Sequence, residues 1–111
     1  MEKPDKKYKG VIVPMITPFN EDLSIDQGAV KKILDTFLEA NVSPFILGTT
    51  GEAVSVSDNQ KIILVSSVLG HIKKRTKVYV GISENCLQES IDNAKLYAEM
   101  GADAVVAHLP F

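Results

Sequence analysis

A second cysteine is missing from this chain. With Cys86 alone, no disulfide can form within it. A thiol with neither a His nor another Cys nearby in sequence reads as a buried or helix-capping group rather than a nucleophile. No apolar run approaches the roughly 18 residues that a membrane-spanning helix needs. The opening Met1-Glu2-Lys3-Pro4-Asp5-Lys6-Lys7 reads as a polar lead-in, without the apolar stretch of a secretion signal. Together these absences lead us to expect a cytoplasmic protein with no membrane partner. Charge of one sign is scarce as well. Twelve basic residues face 14 acidic ones for a net charge of −2, and clusters such as Lys73-Lys74-Arg75 are short. That cluster reads as a solvated helix end, where cations complement the dipole, so no nucleic-acid partner is expected. The chain also lacks Gly-x-Gly-x-x-Gly and any Gly-Lys-Ser/Thr, the loops that cradle dinucleotides and triphosphates.

What is present is a regular alternation. Val11-Ile12-Val13, Phe45-Ile46-Leu47, Val78-Tyr79-Val80 and Ala104-Val105-Val106 are short apolar runs without polar alternation. Such runs suit strands of a parallel sheet covered on both faces. Three helical patterns lie between them. The first carries Val30, Ile33, Leu34, Phe37 and Leu38 on one face behind Asp26 as N-cap. The second opens with Ser57 and Gln60 in capping-box spacing and carries Leu64, Val65, Val68, Leu69 and Ile72. The third keeps Leu87, Ile91, Ala94 and Ala98 in register and stops at Gly101. The order is β-α-β-α-β-α-β, with strand centres about 26–34 residues apart, the spacing of βα units joined by right-handed crossovers. An open sheet of this kind leaves unpaired outer strands and a bare face. The expectation is therefore that residues 1–111 form part of a larger single domain, with 1–9 as lead-in.

The chemistry is expected at Gly48-Thr49-Thr50-Gly51-Glu52. The run follows a strand and precedes a helix start, so it sets two hydroxyls and free backbone N–H groups at a strand's carboxyl end, where α/β proteins hold anions. Gly48 and Gly51 let the backbone approach a ligand closely.

The sequence resembles the dihydrodipicolinate synthase and N-acetylneuraminate lyase family. The resemblance rests on Pro14-Met15-Ile16-Thr17-Pro18-Phe19, Ile25-Asp26, the Gly48 to Glu52 run, Gly81 with Asn85, and Gly101-Ala102-Asp103-Ala104 leading to Pro110, all in order and nearly spanning the chain. It implies an α/β fold, a (β/α)8 TIM barrel of about 250 residues, of which this chain is the N-terminal half. It also implies a class I lyase or aldolase without metal or other cofactor. A lysine condenses with pyruvate or another 2-keto acid, and the enamine attacks, or is released from, an aldehyde. In that scheme Thr49 is catalytic, passing a proton along a chain of hydroxyls, while Thr50 and Gly51 bind the substrate carboxylate. Glu52 is expected to turn away from that anion. The resemblance further implies a homo-oligomer, dimer or tetramer. The Schiff-base lysine and relay tyrosine of the family fall beyond Phe111, so none of Lys31, Lys32, Lys61, Lys73, Lys74, Lys77 or Lys95 is assigned the role.

The remaining candidates have structural readings. His108 is expected to pack or hydrogen-bond at a barrel rim, with substrate contact as the alternative, and His71 to sit as a helix-end cation or a surface residue. Leu87 stands where the family tends to have Thr, which weakens the third helix cap. The aldehyde substrate is left open between a synthase and a sialic or sugar 2-keto acid lyase, since Thr49 favours the first and Pro110-Phe111 the second. Two other readings stay open: a small open-sheet α/β module that binds a carboxylate without catalysis, if the polypeptide is complete, and a non-catalytic scaffold fragment that pairs with a second chain to close a barrel.

Overall fold

Asp26 starts the first helix by placing its carboxylate within 3.0 Å of the Ala29 N–H, while its own backbone stays extended. The computed structural model describes residues 10–48, 50, 51, 53–82 and 86–107. The helix, α1, runs over Gln27–Ala40 and ends at Asn41, whose left-handed backbone lets its N–H turn back onto Leu38 and Phe37 carbonyls. Ser57 does the same work for α2, Asp58–Ile72, accepting from the Gln60 N–H at 3.3 Å. The reciprocal half of that capping box is not made. The Gln60 side chain instead accepts the Ile25 N–H at 2.8 Å, tying the segment after the first strand to α2. The third helix, α3, spans Leu87–Met100 and closes at Gly101 with φ +112°, as its sequence indicated. Its N-cap position is Cys86, which makes no side-chain cap.

The described residues also form four strands: β1 Ile12–Pro14, β2 Ser43–Ile46, β3 Tyr79–Gly81 and β4 Ala104–Val106. They form one parallel sheet in the order β1-β2-β3-β4. Each lies within a residue or two of its apolar run. β2 stops before Leu47 because that residue takes φ +58°, which no strand can continue. Paired residues in parallel register share a face of the sheet. Ile46, Val80 and Val105 are one such set. The first two are wholly buried in a cluster with Val30 and Leu34 of α1 and Leu64, Val65 and Val68 of α2. The other face carries Ile12 and Pro14, both exposed, with Phe45 and Ala104 half-buried. Helices thus cover one side of the sheet and leave the other partly bare.

The stripe expected on α3 is only partly the one that packs. Leu87 and Ile91 are exposed, whereas Tyr97 is buried at 2% and Ala94, Leu96 and Met100 pack against the core. The large Tyr97 ring outweighs the small alanines in choosing the buried face. Among the described residues no helix is long and apolar enough to cross a membrane.

Candidate functional site at the carboxyl end of the second strand

Strand β2 delivers the chain into the glycine- and threonine-rich run. Beyond Ile46 the left-handed Leu47 turns the backbone sharply, and the Gly48 carbonyl accepts the Ala53 N–H at 3.4 Å, closing a turn around the run. A 3-10 turn at Ala53–Ser55 then leads to the Ser57 cap of α2. The bend therefore sits at the edge of the sheet where the carboxyl ends of all four strands emerge.

The bend is gripped from both sides. On one side the chain leaving β1 continues along β2, with Met15 N–H donating to the Phe45 carbonyl at 2.9 Å. Two residues on, the buried Thr17 hydroxyl donates to the Gly51 carbonyl at 2.5 Å, across 34 residues of sequence. Gly51 is itself buried, and a Cβ there would stand 3.0 Å from the Met15 carbonyl oxygen and 3.1 Å from Thr17 Oγ1. On the other side, a Cβ on Gly81 would fall 2.2 Å from the Leu47 carbonyl oxygen, so only glycine lets β3 approach this close. Leu47 is 3% exposed and keeps its left-handed backbone in that enclosure. Thr50, by contrast, is exposed. The arrangement is a backbone bend packed on both sides that leaves Thr50 exposed.

The chain after β1 is itself braced. Asn20 N–H donates to the Ser24 carbonyl at 2.8 Å, Asp26 N–H to the Pro18 carbonyl at 3.0 Å, and Phe19 bridges Ile25. Asp22 accepts from the Ser24 hydroxyl and the Ser24 N–H. The hydroxyl contact, followed by the backbone one, holds the Asp22 carboxyl below its ordinary pKa.

Of the residues singled out from sequence, Thr50 and Gly51 stand together in this bend. Thr49, Glu52, Asn85, His108, Pro110 and Phe111 lie outside the described residues. His71 is half-buried near the end of α2 and pairs with Asp35 of α1 at 2.6 Å. Cys86 is exposed. Lys74 and Lys77 face Asp103 at 3.6 and 3.9 Å, and Asp103 also accepts the Val78 N–H at 2.8 Å, so these groups organise the start of β3. Lys61 is buried within α2 at 7% exposure, an unusual place for an ammonium group. Among the described residues no group of three or more His, Cys, Asp and Glu is arranged to hold a metal ion.

The sequence profile of the dihydrodipicolinate synthetase family matches residues 7–111. The chain belongs to this family. The 4-hydroxy-tetrahydrodipicolinate synthase of Salinibacter ruber is 32% identical over 108 residues, which are 96% of this chain and 36% of that protein. Among solved structures, dihydrodipicolinate synthase from Aquifex aeolicus matches with a TM-score of 0.89 at 25% identity, over 94% of this chain and 36% of that one. The chloride-inhibited dihydrodipicolinate synthase from Acinetobacter baumannii, complexed with pyruvate, matches with a TM-score of 0.87 at 28% identity, over 92% and 35%. The chain thus spans 36% of the length of the Salinibacter relative. Its parallel βα units correspond to the N-terminal half of the barrel that dihydrodipicolinate synthases form.

For a dihydrodipicolinate synthetase family member, the bend after β2 occupies the end of the barrel where catalytic loops gather. Thr17 is the residue of this site that sequence reasoning passed over. It served only as part of the Pro14-to-Phe19 stretch, and no local pattern marks a hydroxyl whose partner is 34 residues away.

Proposed function

We propose that this chain contributes the carboxylate-binding bend of a Schiff-base-forming lyase or aldolase acting on pyruvate or another 2-keto acid. The observation that carries the reading is the bend itself, with Thr50 exposed and Gly51 buried against Met15 and Thr17, at the carboxyl end of a parallel strand. The pyruvate complex of the Acinetobacter relative supports that choice of substrate. In the proposed site the Thr50 hydroxyl and neighbouring backbone N–H groups receive the carboxylate, with Gly51 keeping the backbone near the ligand. Thr49 passes a proton between hydroxyls as the amine of a lysine from outside this chain attacks the ketone and water leaves. The enamine so formed adds to an aldehyde, and the synthase names of the relatives favour a synthase over a sialic acid or sugar-acid lyase. Residues 1–111 form one part of a single barrel domain under this reading. The intact protein is a cytoplasmic homo-oligomer that uses no metal or other cofactor.

Fixed donors aimed at an anion stabilise it by charge-assisted hydrogen bonding. Borohydride added to the intact protein with pyruvate should therefore trap a covalent adduct, visible as an increase in mass. Thr50→Val should raise the pyruvate concentration for half-maximal trapping by roughly tenfold, the loss of one hydrogen bond to a charged group. If no 2-keto acid gives an adduct, the class I mechanism is excluded.

A further inference from the structure

From the enclosure of the bend we infer that Thr17 is a positioning residue for the 2-keto acid, acting through Gly51 without touching the ligand. The inference rests on the carboxylate-binding reading of the bend. Four features of the molecule lead to it. The Thr17 side chain is buried at 7% exposure and its hydroxyl donates to the Gly51 carbonyl. Gly51 directly follows Thr50, so anchoring the Gly51 carbonyl pins the residue onto which the proposed ligand threonine is joined. Where a side chain on Gly51 would stand are the Met15 carbonyl, Thr17 Oγ1 and the Leu47 N, so the backbone is packed closely on that side. On the far side Leu47, left-handed and buried, is pressed against Gly81.

The Thr17 hydroxyl differs from these packing contacts in being directional. Backbone packing from Gly81 and Met15 limits where the bend can go; the hydrogen bond sets which way the Gly51 carbonyl is turned, and so restrains the residue that follows Thr50. A carboxylate needs donors placed to within a fraction of an ångström, so a loosened segment weakens ligand binding before it weakens folding. Thr17 itself is held by Met15 pairing with β2 and by the braced turn from Asn20 to Asp26, which gives it a rigid base.

The test separates positioning from simple support. In the intact protein, Thr17→Val keeps the shape and removes the donor, whereas Thr17→Ser keeps the donor. Half-saturating pyruvate, read from borohydride trapping and normalised to folded protein, should rise roughly five- to tenfold in Thr17→Val, the usual consequence of leaving a buried acceptor unpaired. Thr17→Ser should stay within about twofold of the wild type. The maximum extent of trapping should be unchanged in both. If Thr17→Val does not fold, Thr17→Ala removes the same hydroxyl without pressing a methyl on the Gly51 carbonyl, and the same rise is expected. Unchanged half-saturation in the folded variant lacking the hydroxyl, with only a lower melting temperature, would reduce Thr17 to a structural residue and overturn the inference while the carboxylate site stands. Absence of any adduct in the wild type overturns both.

Discussion

At the scale of single residues, the site depends on side chains that are small or absent. Gly81 is the sharpest case, because the atom that any other residue would add lies 2.2 Å from a backbone oxygen rather than from the end of a flexible side chain. Neither partner can step aside cheaply, since Leu47 is buried and already in the left-handed region. Gly81→Ala is therefore expected to destabilise the intact protein by about 2–3 kcal/mol, in the upper range for overpacking, and to displace the bend. Urea unfolding measures the first effect and weakened pyruvate trapping the second. A loss under about 0.5 kcal/mol, the level of an ordinary surface change, would mean that β3 and the bend are not in the contact described. Asp22 offers a pH test of the turn that braces Thr17. Its carboxyl lies below its ordinary pKa in the folded chain, so its contribution is present above the unfolded-state value and is lost as pH falls through the lower folded one. Asp22→Asn should flatten that acid-side dependence of stability. The placement of Thr50, Gly51 and Gly81 at strand ends was legible in the sequence, because glycine and hydroxyl residues beside apolar runs are local signals. Thr17 was not, because its meaning arises only when β1 and β2 pair.

At the scale of elements, caps and stripes explain what could be read and what could not. Asp26, Ser57 and Gly101 mark helix boundaries by hydrogen bonds or dihedral angles within a few residues, and all three act where the sequence indicated. The faces of α1 and α2 were equally legible, since their apolar residues recur at helical spacing. Two features escaped. Gln60 is drawn from its cap to Ile25, and α3 buries Tyr97 while exposing Leu87 and Ile91, both outcomes of partners distant in sequence. α2 also contains a flaw that can be corrected. Gly70 lies inside the helix, exposed, with nothing within 4 Å of an added Cβ. Glycine there keeps its cost in backbone entropy without offering a close approach in return, so Gly70→Ala should stabilise the protein by about 0.5–1 kcal/mol. Chemical denaturation should show a higher midpoint with an unchanged slope. A lower midpoint would mean that the surface around His71 and Ser67 requires the gap.

At the scale of the whole molecule, the sheet is covered on one face and open at both edges. α1 and α2 bury Ile46 and Val80, while β1 and β4 remain outer strands and Ile12 and Val105 stay 40% and 37% exposed. Outer strands with unpaired N–H and carbonyl groups and apolar side chains are templates for pairing with another chain. A net charge of −2 supplies little repulsion to oppose it. The 111-residue polypeptide on its own is accordingly expected to associate at micromolar concentrations, with light scattering giving a mass above its 12.1 kDa that grows with concentration. Charge placed on the outer strands should counter this, since a lysine on an edge must be desolvated before another strand can pair. Ile12→Lys combined with Val105→Lys should lower the mass towards 12.1 kDa. Neither position lies in the bend after β2, so the variant separates association from site geometry. A wild-type chain that stays monomeric at every concentration and unfolds cooperatively would show that the open edges and the bare face tolerate water.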